Sequence, residues 1–114
     1  MNMNKILRNI VDSIEDKKGE NIRVIDVAEL TSVTDYMIIA SGSNPNQVKA
    51  ICDNVTENLG KEFSIVPKHT EGYYNAEWIL IDCGDYVIHV FDKDQRMFYN
   101  IERIWNDGKE VEIH

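Results

Sequence analysis

Basic side chains are scarce in this sequence: 12 lysines and arginines stand against 20 aspartates and glutamates, a formal charge of −8 over 114 residues. A surface of that sign repels phosphate backbones, so little direct nucleic-acid contact is expected and a basic protein partner is favoured. Cysteine is also rare. Cys52 and Cys83 lack the C-x-x-C spacing of a metal or redox motif and are too few for a disulfide framework, so both read as small core residues. No segment approaches the run of about 20 apolar residues that crosses a bilayer, and the stretch from Met1 to Ile10 mixes polar with apolar residues where a signal peptide would carry an apolar block. These absences point to a cytoplasmic protein without membrane association.

What is present is an ordinary globular composition, 43% apolar and 28% charged, in a length that suits one domain. The sequence predicts a single unit over residues 1–114, with a core of about residues 3–106 and a short charged C-terminal tail from Gly108 to His114. Ile6, Leu7, Ile10, Val11 and Ile14 recur at helical spacing, and Lys17, Lys18 and Gly19 suit the end of that first helix. Arg23 to Val27 and Tyr36 to Ala40 read as strands. Asn44 and Pro45 then supply an N-cap and a first-turn proline for a second helix, with Val48, Ile51, Cys52, Val55 and Leu59 as its buried stripe and Gly60 as its end. Phe63 to Val66 reads as a strand and Lys68 to Asn75 as a loop. Met97, Phe98, Ile101, Ile104 and Trp105 predict a third helix that begins near Asp94 as N-cap and ends before Gly108. Helices interspersed with strands give an α/β domain, a mixed sheet with helices packed on it.

The strongest local signal is a hairpin. Trp78 to Cys83 and Tyr86 to Phe91 flank Gly84-Asp85, and a leading glycine suits a two-residue type II′ turn. Such a turn fixes the register: Trp78 faces Phe91, Leu80 faces His89 and Asp82 faces Val87. One face, with Ile79, Ile81, Cys83, Tyr86, Ile88 and Val90, is apolar enough to lie under helices. The other carries Trp78, Leu80, Asp82, Val87, His89 and Phe91, a mixture of aromatic, acidic and imidazole groups that resembles the centre of a protein interface. The competing interpretation is a second covered face, in which His89 bonds Asp82 as a structural pair.

Enzymatic sites fare worse on the same residues. Gly42-Ser43, after a strand and before a helix, occupies the place where nucleotidyltransferases hold phosphate, but the next predicted strand, Phe63 to Val66, lacks the paired carboxylates that would hold magnesium. Asp92 and Asp94 alternate, yet they sit at a strand–helix junction where Asp94 suits an N-cap. Neither phosphate-loop glycine pattern occurs. Cys83 and His89 fall on opposite faces of the hairpin and cannot exchange a proton. His69, near Glu71, and the terminal His114 read as ordinary exposed histidines. No catalytic residue, metal site or cofactor is assigned.

Three blocks, Thr31 to Gly42, Trp78 to Phe91 and Arg96 to Trp105, resemble in order and spacing the Iojap family of ribosomal silencing factors. The element D-x-G-D-x-x-x-H-V-F, running from Asp82 to Phe91, is the most specific part of the likeness. The resemblance implies a nucleotidyltransferase-like fold without catalytic carboxylates. It also implies a cytoplasmic factor that binds the fourteenth protein of the large ribosomal subunit, sterically blocks joining of the small subunit and so lowers translation. Among residues it would place at the surface are Trp78, Asp82, His89, Arg96 and Tyr99. Together with the hairpin face, this gives Trp78, Leu80, Asp82, His89, Phe91, Arg96 and Tyr99 as the expected partner-binding set. Trp78 would be the anchor, with Asp82, Glu71 and Glu102 meeting basic residues of the partner. The alternative is a homodimeric adaptor that pairs through the same face when free, or a large-subunit assembly factor without silencing activity.

Overall fold

In the computed structural model, which describes residues 3–113, the spacing of Ile6, Leu7, Ile10 and Ile14 closes into helix α1 (Met3–Asp16) with all four side chains buried. The helix stops where Lys18 turns left-handed (φ 63°) and the Gly19 N–H bonds back to the Ile14 carbonyl at 2.9 Å. Strands β1 (Glu20–Asp26) and β2 (Tyr36–Gly42) follow and pair antiparallel. Helix α2 (Pro45–Phe63) starts as its sequence requires, with Asn44 Oδ1 accepting from the Gln47 N–H at 2.9 Å and Pro45 in the first turn. Its stripe Val48, Ile51, Cys52, Val55 and Leu59 is buried throughout.

The second half contributes β3 (His69–Glu71), β4 (Trp78–Asp82), β5 (Tyr86–Asp92), helix α3 (Lys93–Tyr99), a 3-10 turn at Ile101–Arg103 and β6 (Lys109–Glu110). The six strands form one sheet in the order β3-β4-β5-β2-β1-β6, antiparallel everywhere except between β2 and β5, which run parallel. Helices α1 and α2 cover one face, where Ile38, Ala40, Ile79, Ile81, Ile88 and Val90 join the main core. The opposite face carries a smaller cluster of Ile25, Val27, Met37, Ile39, Phe91 and Ile101, against which Trp78 and Trp105 pack. The mixed α/β class is therefore as predicted.

Four local expectations are corrected. Phe63 to Val66 is no strand: α2 runs through Phe63, and Ser64 closes it in the left-handed conformation (φ 56°), its N–H bonded to the Gly60 carbonyl at 3.1 Å. The expected loop after it contains β3, which pairs with β4 as His69 with Asp82 and Glu71 with Leu80. The third helix starts two residues earlier, with Asp92 and not Asp94 at the N-cap position, where its side chain makes no capping hydrogen bond. It also stops early, because Asn100 is left-handed (φ 45°) and the chain re-enters as a 3-10 turn that buries only Ile101. The core does not end near residue 106. Lys109 and Glu110 add a strand to β1, the Val111 N–H bonds the Val24 carbonyl at 2.8 Å, and Val111 and Ile113 pack on the main core. His114 lies outside the described residues, as do Met1 and Asn2. Among the described residues no helix is long and apolar enough to cross a membrane.

Candidate protein-binding groove

The hairpin forms in the expected register, Trp78 with Phe91, Leu80 with His89 and Asp82 with Val87, and Gly84 supplies the positive φ (83°) that opens its turn. That register sends Ile79, Ile81, Ile88 and Val90 under the helices and turns the mixed face toward α3 and the 3-10 turn. There the chain leaves a groove of about 390 Å³, lined by Trp78, Leu80, Asp82, Val87 and His89 from the hairpin. Its other walls come from Thr31, Val33, Thr34 and Met37 around the start of β2 and from Ile101, Ile104 and Trp105 after α3. A larger hollow, about 490 Å³, opens between α1, β1 and the C-terminal segment. It is lined by Glu15, Arg23, Glu110 and Glu112 among others and by no aromatic residue, so it lacks the anchors that make an interface.

The expected binding residues take different places in and under the groove. Trp78, Leu80 and Asp82 are half-buried on its surface. Tyr99 is 43% exposed, its ring 4.9 Å from that of Trp78, and extends the aromatic surface past the groove. Phe91 is fully buried, with its ring 5.0 Å beneath Trp78, so it supports the indole and cannot touch a partner. Arg96 is also withdrawn. Its Nε donates to Glu102 at 2.8 Å and its Nη1 to the Ser41 hydroxyl at 2.9 Å, with the side chain 11% exposed.

His89 is 5% exposed, and its partner is not Asp82. The Trp78 Nε1–H donates to His89 Nδ1 at 3.0 Å across the hairpin. Burial pushes the imidazole down to about 4, so it is neutral at physiological pH. Asp82 instead accepts the Gly84 N–H at 2.9 Å and lies 3.7 Å from His69 at the edge of the groove. Glu102 is not free to meet a partner's cation either, since Arg96 and Arg23 both hold it at 2.8 Å. The Arg96 hydrogen bond and then that of Arg23 hold its carboxyl below the ordinary carboxylate range, against the opposing effect of burial. Glu71 stays exposed on β3, 3.6 Å from His69.

Four residues around this face escape the sequence-based set. Val33, Met97, Phe98 and Ile104 are 78%, 85%, 78% and 71% exposed. Met97, Phe98 and Ile104 keep the helical spacing that predicts the third helix, but α3 buries none of its residues and Ile104 falls beyond the break at Asn100. At the end of β2, where a nucleotidyltransferase would hold phosphate, the chain uses its own groups. Asn44 takes the Gln47 N–H, and the Gln47 side chain takes the Ser43 N–H.

Residues 1–114 match the family model described as ribosomal silencing factor during starvation. The ribosomal silencing factor of Halalkalibacterium halodurans is 36% identical over 113 residues, covering 99% of this chain and 96% of its own. That of Bacillus subtilis is 38% identical over 108 residues, with 95% and 91% covered. A crystal structure of a Chromobacterium violaceum protein superposes with a TM-score of 0.88 at 35% identity, covering 99% of this chain and 92% of that one.

Proposed function

The chain belongs to the family of ribosomal silencing factors, and on that premise we propose that it represses translation by occupying the large ribosomal subunit. It binds the fourteenth protein of that subunit through the Trp78 groove, and its bulk keeps the small subunit from joining. It acts in the cytoplasm and does so by occlusion, with no catalytic step.

The observation that carries this reading is the groove itself. A half-buried indole and a leucine line an apolar hollow whose edge bears Asp82, on a protein of charge −8. Apolar anchors beside a carboxylate, on a protein of net negative charge, match an apolar patch set among lysines and arginines, the kind of surface a basic ribosomal protein presents. Trp78, Leu80, Tyr99 and Ile104 supply contact, while Phe91 and Arg96 hold those contacts in place.

The test is a joining assay. Purified protein is added to isolated large subunits, small subunits follow, and the mixture is resolved on a gradient. Co-migration with large subunits and a smaller joined fraction is the expected result. Co-migration with joining unimpaired removes the silencing role and leaves a binding or assembly factor. Absence from every ribosomal fraction overturns the reading, and a dilution-resistant dimer then favours the adaptor.

A further inference from the structure

Resting on the ribosomal reading above, we infer that His89 is a hydrogen-bond donor to the partner, its Nε2–H taking up a neutral oxygen, a peptide carbonyl or a hydroxyl, from the segment that fills the groove. The starting point is the tautomer. An indole N–H can only donate, so His89 Nδ1, 3.0 Å from Trp78 Nε1, must accept, and the single proton of the neutral ring sits on Nε2.

That N–H is enclosed and has no hydrogen-bond partner among the described residues. Its neighbours across the two ladders on this face are Leu80 of β4 and Ile39 of β2, neither of which has a polar side-chain atom to offer. A buried donor without an acceptor is disfavoured in any folded protein, and it becomes an asset when binding delivers the acceptor. His89 is one of the residues lining the groove, so the acceptor arrives from there. Leu80, its half-buried neighbour across the ladder, lines the groove beside it.

The sign of the acceptor follows from its surroundings. Asp82 lines the same groove and the protein carries a charge of −8, so a partner carboxylate would be repelled as it desolvated. A neutral oxygen meets no such penalty, and a basic partner can place a lysine or arginine against Asp82 at the same time. The groove thus selects for three features in one segment: an apolar side chain on Trp78, a cation at Asp82 and an uncharged oxygen at His89. Partners that are merely basic and apolar leave Nε2 unpaired, and this is how the site rejects them.

The experiment is imidazole nitrogen NMR on the labelled full chain, free and with the purified fourteenth protein of the large subunit. In the free protein the His89 Nε2 resonance is that of a protonated nitrogen. On binding, its proton moves downfield and its exchange with water slows. His89→Asn, which keeps an amide oxygen as acceptor for Trp78 but is too short to place an N–H where Nε2 stands, weakens binding by roughly tenfold. A complex that forms with the Nε2–H unshifted overturns the inference, whatever the variant does, and leaves the ribosomal reading standing. Failure to bind either the isolated protein or large subunits overturns the ribosomal reading, and this inference with it.

Discussion

Arg96 of α3 donates from Nε to Glu102 Oε1 at 2.8 Å, spanning the left-handed residue Asn100 that divides α3 from the 3-10 turn. The second oxygen of the same carboxylate takes Arg23 of β1, also at 2.8 Å. One acid thus ties the segment that bears Ile104 and Trp105, a wall of the groove, to both its own helix and the sheet.

Glu102→Gln is expected to lower stability by about 1–2 kcal/mol, the loss of charge-assisted hydrogen bonds at a partly buried site, and to weaken large-subunit binding by loosening that wall. Urea unfolding and co-sedimentation read the two effects. Because both arginines hold the carboxyl below the usual value of 4.5, the wild-type advantage is full above that pH. It disappears as acid protonates Glu102 in the folded state, so the wild-type and variant stabilities converge at low pH.

Trp78→Ala removes the anchor and should weaken binding to large subunits by at least about 2 kcal/mol, roughly thirtyfold, while leaving a folded domain. Tyr74→Ala is the control. Tyr74 is 91% exposed but sits near Lys49 of α2, on the helical side, and its loss should leave binding unchanged. Equal losses from the two variants would mean that exposure, and not the groove, governs the interaction.

His89 contributes a pH dependence of the opposite origin to that of Glu102. Its ring is held neutral, with burial lowering it from 6.5 to about 4, so the unfolded chain takes up a proton at a pH where the folded one does not. Its contribution to stability is therefore full above pH 6.5 and falls between there and about pH 4, by about 3 kcal/mol in all. Below that pH it levels off. Protonation also ends the acceptor role of Nδ1, so tryptophan fluorescence should change in the same acid range. A His89→Phe variant should show neither the slope nor the fluorescence step.

Gly72 has φ 80°, and a Cβ there would collide with the Trp78 carbonyl. Gly72→Ala should cost more than about 1 kcal/mol in urea unfolding, since alanine pays the left-handed penalty and the clash together. The displaced backbone is that of the anchor, so binding should fall as well.

The sequence revealed the hairpin to the residue because its turn is only two residues long and a glycine opens it, leaving the register of Trp78 with Phe91 no freedom. The face so defined was also legible, but its depth was not. Alternation says which side of a sheet Phe91 and His89 occupy, whereas only the packing of Trp78 and Tyr99 over them decides that they form the floor. Arg96 and Glu102 read as surface charges because their partners, Ser41 and Arg23, lie far away in the chain. The third helix misled for a physical reason. Met97, Phe98, Ile101 and Ile104 keep helical spacing, and nothing in that spacing marks Asn100 as the residue that would turn left-handed. The tail carried too few residues to announce a strand, and its pairing depends on an edge of β1 that no local pattern describes.

The one parallel pairing among the described residues, β2 beside β5, joins two stretches of the chain. Within each stretch the pairing is local, β1 with β2 in one and the tight hairpin of β4 and β5 in the other. Setting Tyr36 beside Tyr86 requires closing a long loop, an entropic cost that local pairings avoid. Met37 and Thr34 lie before that closure and Trp78 and His89 after it, so the groove does not exist in either stretch alone. The groove is therefore a property of the closed sheet, and whatever separates β2 from β5 dismantles it even where each local pairing survives.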